Sequence, residues 1–415
     1  MVNTTRTTES FLDTDMYKLT MGQFAFHRYN DVSVKYAFKN RTKDVSLPAV
    51  VDEGKLRQEL DRIQYTRPTS NELTYLAGLK NNGEQLFKDD YLGFLENIVL
   101  PDYNLTVKNG EFDFEVDGPW GAGIYWETPA LATFNTLYYR GLMQNMDSDQ
   151  LRVIMEKGAN NLERKIETLE ENPNVRFMEF GTRRRFDQEW QEGVVSKLKA
   201  RVPNQIVGTS NVYLAMKLGL EPMGTNAHEM DMVMSGIYHD SDLDIKASHN
   251  RFLEEWFDEY GVGLSIALTD TYGSDFFLDD MSYEQARNWK GLRQDSGDPA
   301  AFARRQIGFY EKNRIDPKTK LFVPSDGLNV EKIADLQNEF GNRINVVAGW
   351  GTNLTNDLGL RPLSLVMKAV ESNGYGTVKL SDNPAKTMGS LEDVARFKDI
   401  FDYDDAKYAM EECVY

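Results

Sequence analysis

The feature that most constrains the fold is a recurrence that starts near residue 174. Seven short apolar segments follow one another, each running into polar or glycine residues and usually then into a helical pattern. They are VRFMEF before GTRRR, QIV before GTSN, EPM before GTNAH, GLSIAL before TDTYGSD, KGL before RQDSGD, KLFVP before SDGLN, and INVVA before GWGTN. Short apolar strands that alternate with helices build parallel sheets from strand–helix–strand units. Two of the helices are legible: FARRQIGFYEKN after the fifth segment, and VEKIADLQNEFG after the sixth, with Asn329 as its N-cap. The pattern predicts an α/β fold, either an open doubly wound sheet or a (β/α) barrel, complete or not. In both, the loops after the strands gather on one face, where such folds bind ligands.

The first 130 or so residues obey a different rule. VSVKYAF (Val32 to Phe38) and FDFEV (Phe112 to Val116) alternate with period two among helical stretches, which reads as α+β. The run from Leu151 to Pro173 carries apolar residues at helical spacing and leads into the second regime. A chain of 415 residues exceeds what one core usually serves. The expected division is an N-terminal α+β domain over 1–135, joined by part of 365–415, and an α/β domain over 136–364.

Composition limits the function classes. The 65 acidic residues outnumber 47 basic ones, a formal charge of -18 that repels nucleic acid and anionic membranes at long range. No run approaches the ~18 apolar residues of a spanning helix, and MVNTTRTTES lacks the layout of a secretory signal, so a cytoplasmic protein is expected. The single cysteine, Cys413, has no disulfide partner within the chain. Against this background Arg183, Arg184 and Arg185 in EFGTRRRF ask for a local anion.

The strand-end loops supply the chemistry. In GTSN, SDGLN and GWGTN, glycines beside Ser, Thr and Asn let backbone N–H groups approach a phosphate. Neither a Walker sequence nor a full GxGxxG occurs. Asp270, Asp295, Asp298 and Asp326 lie in the same loops, suited to sugar hydroxyls, magnesium or a developing cation. Asp298, just before Pro299, reads better as a helix cap. Of the four histidines, His27, His239 and His249 read as structural, His249 as a cap for the following helix. His228, after GTNA at a strand end, reads as a base or nucleophile. HEMDM is not HExxH, so zinc ligation finds no support.

LDTDMYKLTM, EFGTRRRF, GTSNVYLA, GTNAHEM, LTDTYGSDFFL and RQDSGDP, in that order, resemble the nicotinate phosphoribosyltransferase family over nearly the whole chain. The resemblance implies a type II phosphoribosyltransferase fold: an irregular (β/α) barrel beside a second α+β domain built from the N-terminal region and part of the C-terminus. It implies synthesis of nicotinate mononucleotide and pyrophosphate from nicotinate and 5-phosphoribosyl 1-pyrophosphate, with ATP and magnesium as co-substrate and cofactor. It also implies a homodimer with active sites at the subunit interface.

By the same resemblance, His228 is phosphorylated by ATP, and Asp270, Arg293 and Asp295 serve the ribose and pyrophosphate. Arg183 faces the nicotinate carboxylate or a phosphate, and Phe180 and a partner subunit's Tyr17 sandwich the pyridine ring. Ser210, where nicotinamide-using relatives carry an acid, favours nicotinate. Thr225 and Asp326 line the substrate site, and Gly327, Gly349, Gly351 and Thr352 hold the 5-phosphate. Arg41, from the other subunit, and Lys379 or Lys386 reach the pyrophosphate. The family's Pro-Gly pair after Lys386 is replaced here by Met388-Gly389. The rival readings are a nicotinamide- or quinolinate-using enzyme of the same fold and a non-catalytic phosphosugar-binding barrel.

Overall fold

The computed structural model describes residues 6–42 and 44–410, so Cys413 lies outside the described residues. All seven expected strands form: Phe177–Glu179, Ile206–Thr209, Glu221–Pro222, Ile266–Leu268, Gly291–Gln294, Leu321–Pro324, and a seventh passage in two pieces, Asn345–Val346 and Ala348–Trp350. Every pairing among them is parallel. The seventh passage joins two four-stranded sheets, Asn345–Val346 pairing with Leu321–Pro324 and Ala348–Trp350 with Phe177–Glu179. Between Glu221–Pro222 and Ile266–Leu268 no ladder closes the array. Instead the Thr225 hydroxyl and the Asn226 amide donate to the Ile266 carbonyl at 3.1 and 3.3 Å. The fold is mixed α/β and compatible with an irregular, incomplete barrel.

The connecting helices start where the sequence says they should. Asn329 accepts from the Lys332 N–H at 2.9 Å and opens Val330–Phe340. Asp298 accepts from the N–H groups of Ala300 and Ala301 and opens Pro299–Lys312, with proline in the first turn where its missing N–H costs nothing. His249 differs from expectation: it sits inside the helix Asp242–Tyr260, buried, and bonds Asp280 Oδ2 at 2.8 Å. That helix is capped by Ser241, whose hydroxyl accepts from the Asp244 N–H. His27 pairs with Glu259, and His239 with the Ser235 carbonyl and Arg396.

A five-stranded antiparallel sheet runs in the order Tyr375–Gly376, Leu365–Ser372, Ser33–Asn40, Glu111–Pro119, Tyr103–Lys108. Its two expected strands thus gain a neighbour from beyond the parallel array. Alternation buries Val34, Tyr36 and Phe38, and the Phe38 ring stacks on Phe134 with centroids 4.3 Å apart. Helix Glu127–Met143 packs against both Leu365–Ser372 and the turn Thr182–Arg184, tying the two regions together. Helix Met16–Arg28 is buried from Met16 to Ala25. Its first N–H donates to the Ser210 carbonyl at 2.7 Å, which sets the start of that helix against the end of a parallel strand. No helix among the described residues is long and apolar enough to cross a membrane.

Candidate active site

The ends of the parallel strands open onto a cavity of about 340 Å³. Its walls invert the charge of the chain. Among the described residues four arginines line it, Arg41, Arg183, Arg184 and Arg293, with four lysines, Lys290, Lys368, Lys379 and Lys386, and two carboxylates, Asp295 and Asp326. Eight cations against two anions, in a chain of charge -18, make a receptacle for a highly anionic ligand.

At one end stands His228. Its Nδ1 lies 3.0 Å from the Thr271 hydroxyl, which donates its own proton to Asp231 Oδ2 at 2.6 Å. Thr271 therefore accepts from Nδ1, leaving the Nε2 lone pair for the Lys379 ammonium, 2.8 Å away. Asp295 Oδ2 lies 3.0 Å from the same nitrogen. Burial, and then the charge of Lys379, push the imidazole down to about 4, so it is neutral at pH 7. Asp295 behaves oppositely. Burial pushes its carboxyl up, but the charges of Lys379 and Lys386 beside it hold it well below the usual range.

Asp270 does not line the cavity. It lies behind His228 and Lys379, where it accepts from the hydroxyls of Ser296 and Ser381 at 2.5 and 3.1 Å. His228, Asp270 and Asp295 bring three possible metal-ligand atoms within 4.8 Å of one another. The Lys379 ammonium is 3.5 Å from Asp270 and 2.8 Å from His228, and already supplies the positive charge there. These three residues, so arranged, do not fit a resident metal ion.

Lys386, buried in the lining, donates to the Asp295 carbonyl at 2.8 Å and pairs with Asp326 at 2.7 Å. Gly327 has a φ of +58°, a turn that side chains resist. At Gly351 a Cβ would come within 3.0 Å of the Phe180 carbonyl oxygen. Both glycines, with Gly349 and Thr352, line the cavity, as do Thr225 and Arg293.

The other end is built around Arg183. Phe180 and Tyr17 line the cavity beside it. Two residues expected from a second subunit, Tyr17 and Arg41, reach the cavity of their own chain. The reason for Tyr17 is the backbone bond between Met16 and Ser210, which seats the helix start on the strand end. Ser210 itself is fully buried, is not among the residues that line the cavity, and donates to Asp15 Oδ1 at 2.5 Å. Burial pushes the Asp15 carboxyl up, against the pull of Arg183.

The three arginines part company. Arg183 faces the cavity and donates to Glu127 Oε1 at 3.0 Å. Arg184 also lines the cavity. Arg185 is wholly buried in a bidentate pair with Asp13, both bonds 2.7 Å.

Sequence reasoning passed over Glu127, Lys18 and Lys368. Glu127 is buried among Lys18 at 2.6 Å, Arg183 and Lys368, and these three cations hold its carboxyl far below the usual range although burial alone would raise it. A legible signal existed for Lys368. It stands two residues from Val366 in an apolar strand, on the same face, and both line the cavity.

Residues 175–405 match the nicotinate phosphoribosyltransferase (NAPRTase) family, and residues 12–135 match the N-terminal domain of that family. The chain is similar to a solved nicotinate phosphoribosyltransferase of Vibrio cholerae, at 30% identity and a TM-score of 0.86, over 97% of this chain and 95% of that one. It is similar to that of Porphyromonas gingivalis at 30% identity and a TM-score of 0.84, over 95% and 99%. The likeness extends to a putative nicotinate phosphoribosyltransferase of Saccharomyces cerevisiae, at 28% identity and a TM-score of 0.84, over 97% and 100%.

Proposed function

The chain belongs to the nicotinate phosphoribosyltransferase family, and on that premise we propose that it joins nicotinate to 5-phosphoribosyl 1-pyrophosphate, coupled to ATP hydrolysis through His228. The observation that carries the reading is the cavity itself: eight basic side chains and two carboxylates, with two aromatic rings at the Arg183 end. A flat, negatively charged ring suits that end, and a phosphorylated sugar suits the other.

The pyridine nitrogen attacks C1 of the ribose with its own lone pair. The bond from C1 to the pyrophosphate oxygen breaks, and its electrons leave with pyrophosphate. Positive charge builds on the ribose as that bond loosens, and ionised Asp295 favours it, with Asp270 behind. Arg293, Lys379, Lys386 and Arg41 favour the departing anion. Gly327, Gly349, Gly351 and Thr352 hold the 5-phosphate through backbone donors. Magnesium enters as the counter-ion of the substrate phosphates.

Neutral His228 has a lone pair with which to take the terminal phosphoryl group of ATP, releasing ADP; water later returns the free imidazole and phosphate. The preference for nicotinate over nicotinamide rests on Arg183 rather than on Ser210, which is turned away from the cavity.

The test is product formation from labelled nicotinate and phosphoribosyl pyrophosphate, with and without magnesium-ATP, using nicotinamide and quinolinate as controls. The expected result is turnover of nicotinate alone, stimulated by ATP. Turnover of none of the three pyridines would return the cavity to an unidentified phosphosugar ligand.

A further inference from the structure

We propose that Asp231 is a positioning residue for His228: through the Thr271 hydroxyl it holds the ring proton on Nδ1, and so leaves the lone pair on Nε2, the nitrogen beside Lys379 and Asp295 in the cavity wall. The inference rests on the reading that His228 takes a phosphoryl group from ATP, and adds which group decides the nucleophilic nitrogen. Asp231 stands three residues on from His228, in the first turn of helix Glu229–Ile237, and is not among the residues that line the cavity.

A threonine hydroxyl has a single proton to give. Thr271 gives it to Asp231 Oδ2 at 2.6 Å and therefore turns a lone pair to Nδ1, 3.0 Å away. The far side of the ring does not decide the matter. At Nε2 the Lys379 ammonium, 2.8 Å away, favours a lone pair, whereas Asp295 Oδ2, 3.0 Å away, favours a proton. Those two demands oppose each other, so the bias comes from the Nδ1 side.

Asp231 is 3% exposed, and among the described residues its Oδ1 has no hydrogen-bond partner. A carboxylate so placed costs stability. It is not needed to brace the two segments, because the Tyr272 hydroxyl already ties them by donating to the Asp231 carbonyl at 2.9 Å. What the carboxylate does supply is the logic of a triad with a hydroxyl inserted, in which a buried acid fixes the tautomer and offsets charge on the ring. As Nε2 bonds to the phosphorus of ATP, ADP departs with the electrons of the broken P–O bond. The ring keeps its Nδ1 proton and becomes positive, and the negative charge behind Thr271 offsets it.

The groups facing the Asp231 carboxyl are His249 on helix Asp242–Tyr260 and, in the loop after Ile266–Leu268, Asp270, Thr271 and Tyr272. Burial pushes the carboxyl up to about 6, against the pull of His249 and the Thr271 hydroxyl and with the push of Asp270. Below that value the relay reverses. Protonated Asp231 donates to Thr271, Thr271 donates to Nδ1, and the ring proton moves to Nε2 while the ring itself stays neutral down to about 4.

The experiment is nitrogen-15 spectroscopy of the His228 imidazole in the full-length wild type, Asp231→Leu, Thr271→Val and Thr271→Ser, with ATP hydrolysis measured on the same samples. At pH 8 the wild type and Thr271→Ser should show a protonated Nδ1 and a bare Nε2. In Asp231→Leu the Thr271 proton is free to turn to Nδ1, and in Thr271→Val no hydroxyl faces it, so in both the ring proton should sit on Nε2 against Asp295. Nicotinate-dependent ATP hydrolysis should fall about 10–100-fold in these two, the scale on which loss of a histidine's outer partner lowers activity, and should hold in Thr271→Ser. Between pH 8 and pH 5 the wild-type proton should pass from Nδ1 to Nε2 with a midpoint near 6, a step absent from Asp231→Leu. A ring that keeps its Nδ1 proton in both Asp231→Leu and Thr271→Val would overturn the assignment. So would hydrolysis that falls as far in Thr271→Ser as in Thr271→Val, the mark of a packing defect. A wild type that hydrolyses no ATP, yet carries an Nδ1 proton that Asp231→Leu loses, would remove the phosphoryl reading and sustain the hold of Asp231 on the ring.

Discussion

The Lys379 ammonium lies 2.8 Å from Nε2 of His228, a cation set against the very group it keeps uncharged. Removing it should let the imidazole take a proton more easily. In Lys379→Met the His228 ring should titrate above its present value of about 4, though below 6.5, because burial continues to disfavour the charged form. Nitrogen-15 spectra of the imidazole across pH 3.5 to 7.5 report this directly. A midpoint that stays near 4 would mean that burial alone sets it.

His228→Ala tests the coupling. Synthesis of the nucleotide needs no base from the protein, since the pyridine nitrogen brings its own electron pair, so slow ATP-independent turnover should survive. ATP stimulation and nicotinate-dependent ATP hydrolysis should both disappear. Equal stimulation in the variant and the wild type would remove His228 from the ATP half of the cycle.

Arg183 and Arg185, two residues apart, should fail in different ways. Arg185→Met strands the Asp13 carboxylate in a wholly buried place, an error that costs about 3–5 kcal/mol. Urea unfolding should register most of it. Arg183→Met leaves Glu127 with Lys18 and Lys368, so its stability should change far less, whereas its KM for nicotinate should rise about 10–100-fold. The reverse pattern, a stability loss at 183 and a binding loss at 185, would contradict this division of labour.

The contrast shows what can and cannot be read from a sequence. The seven strands and the caps Asn329 and Asp298 depend on neighbours a few positions away, so local pattern suffices. The same holds for the gathering of strand-end loops, which brings His228, Arg293 and Asp295 to one cavity. The partner of Arg185 is 172 positions distant, and Lys368 arrives from a strand of the other sheet. Ser210 sits in a loop that looks exposed, yet the Asp15–Met16 backbone closes over it through the bond from the Met16 N–H to its carbonyl. Spacing along the chain carries no information about such closures, because they are decided by which faces pack together.

The depressed His228 also makes stability depend on pH, with a definite sign. In the unfolded chain the imidazole titrates near its ordinary 6.5, and in the folded protein near 4. Between those values the unfolded state binds a proton that the folded state refuses, so acid favours unfolding. The contribution is intact above pH 6.5 and shrinks as pH falls, and by the folded value the loss approaches about 3 kcal/mol for a shift from 6.5 to about 4. His228→Asn removes the titrating group. Urea unfolding of both proteins at pH 7 and pH 4.5 should therefore show a fall in stability that is about 2–3 kcal/mol steeper in the wild type. Parallel falls in the two proteins would mean that the folded imidazole takes its proton as readily as the open chain does, so that neither burial nor the Lys379 charge lowers it.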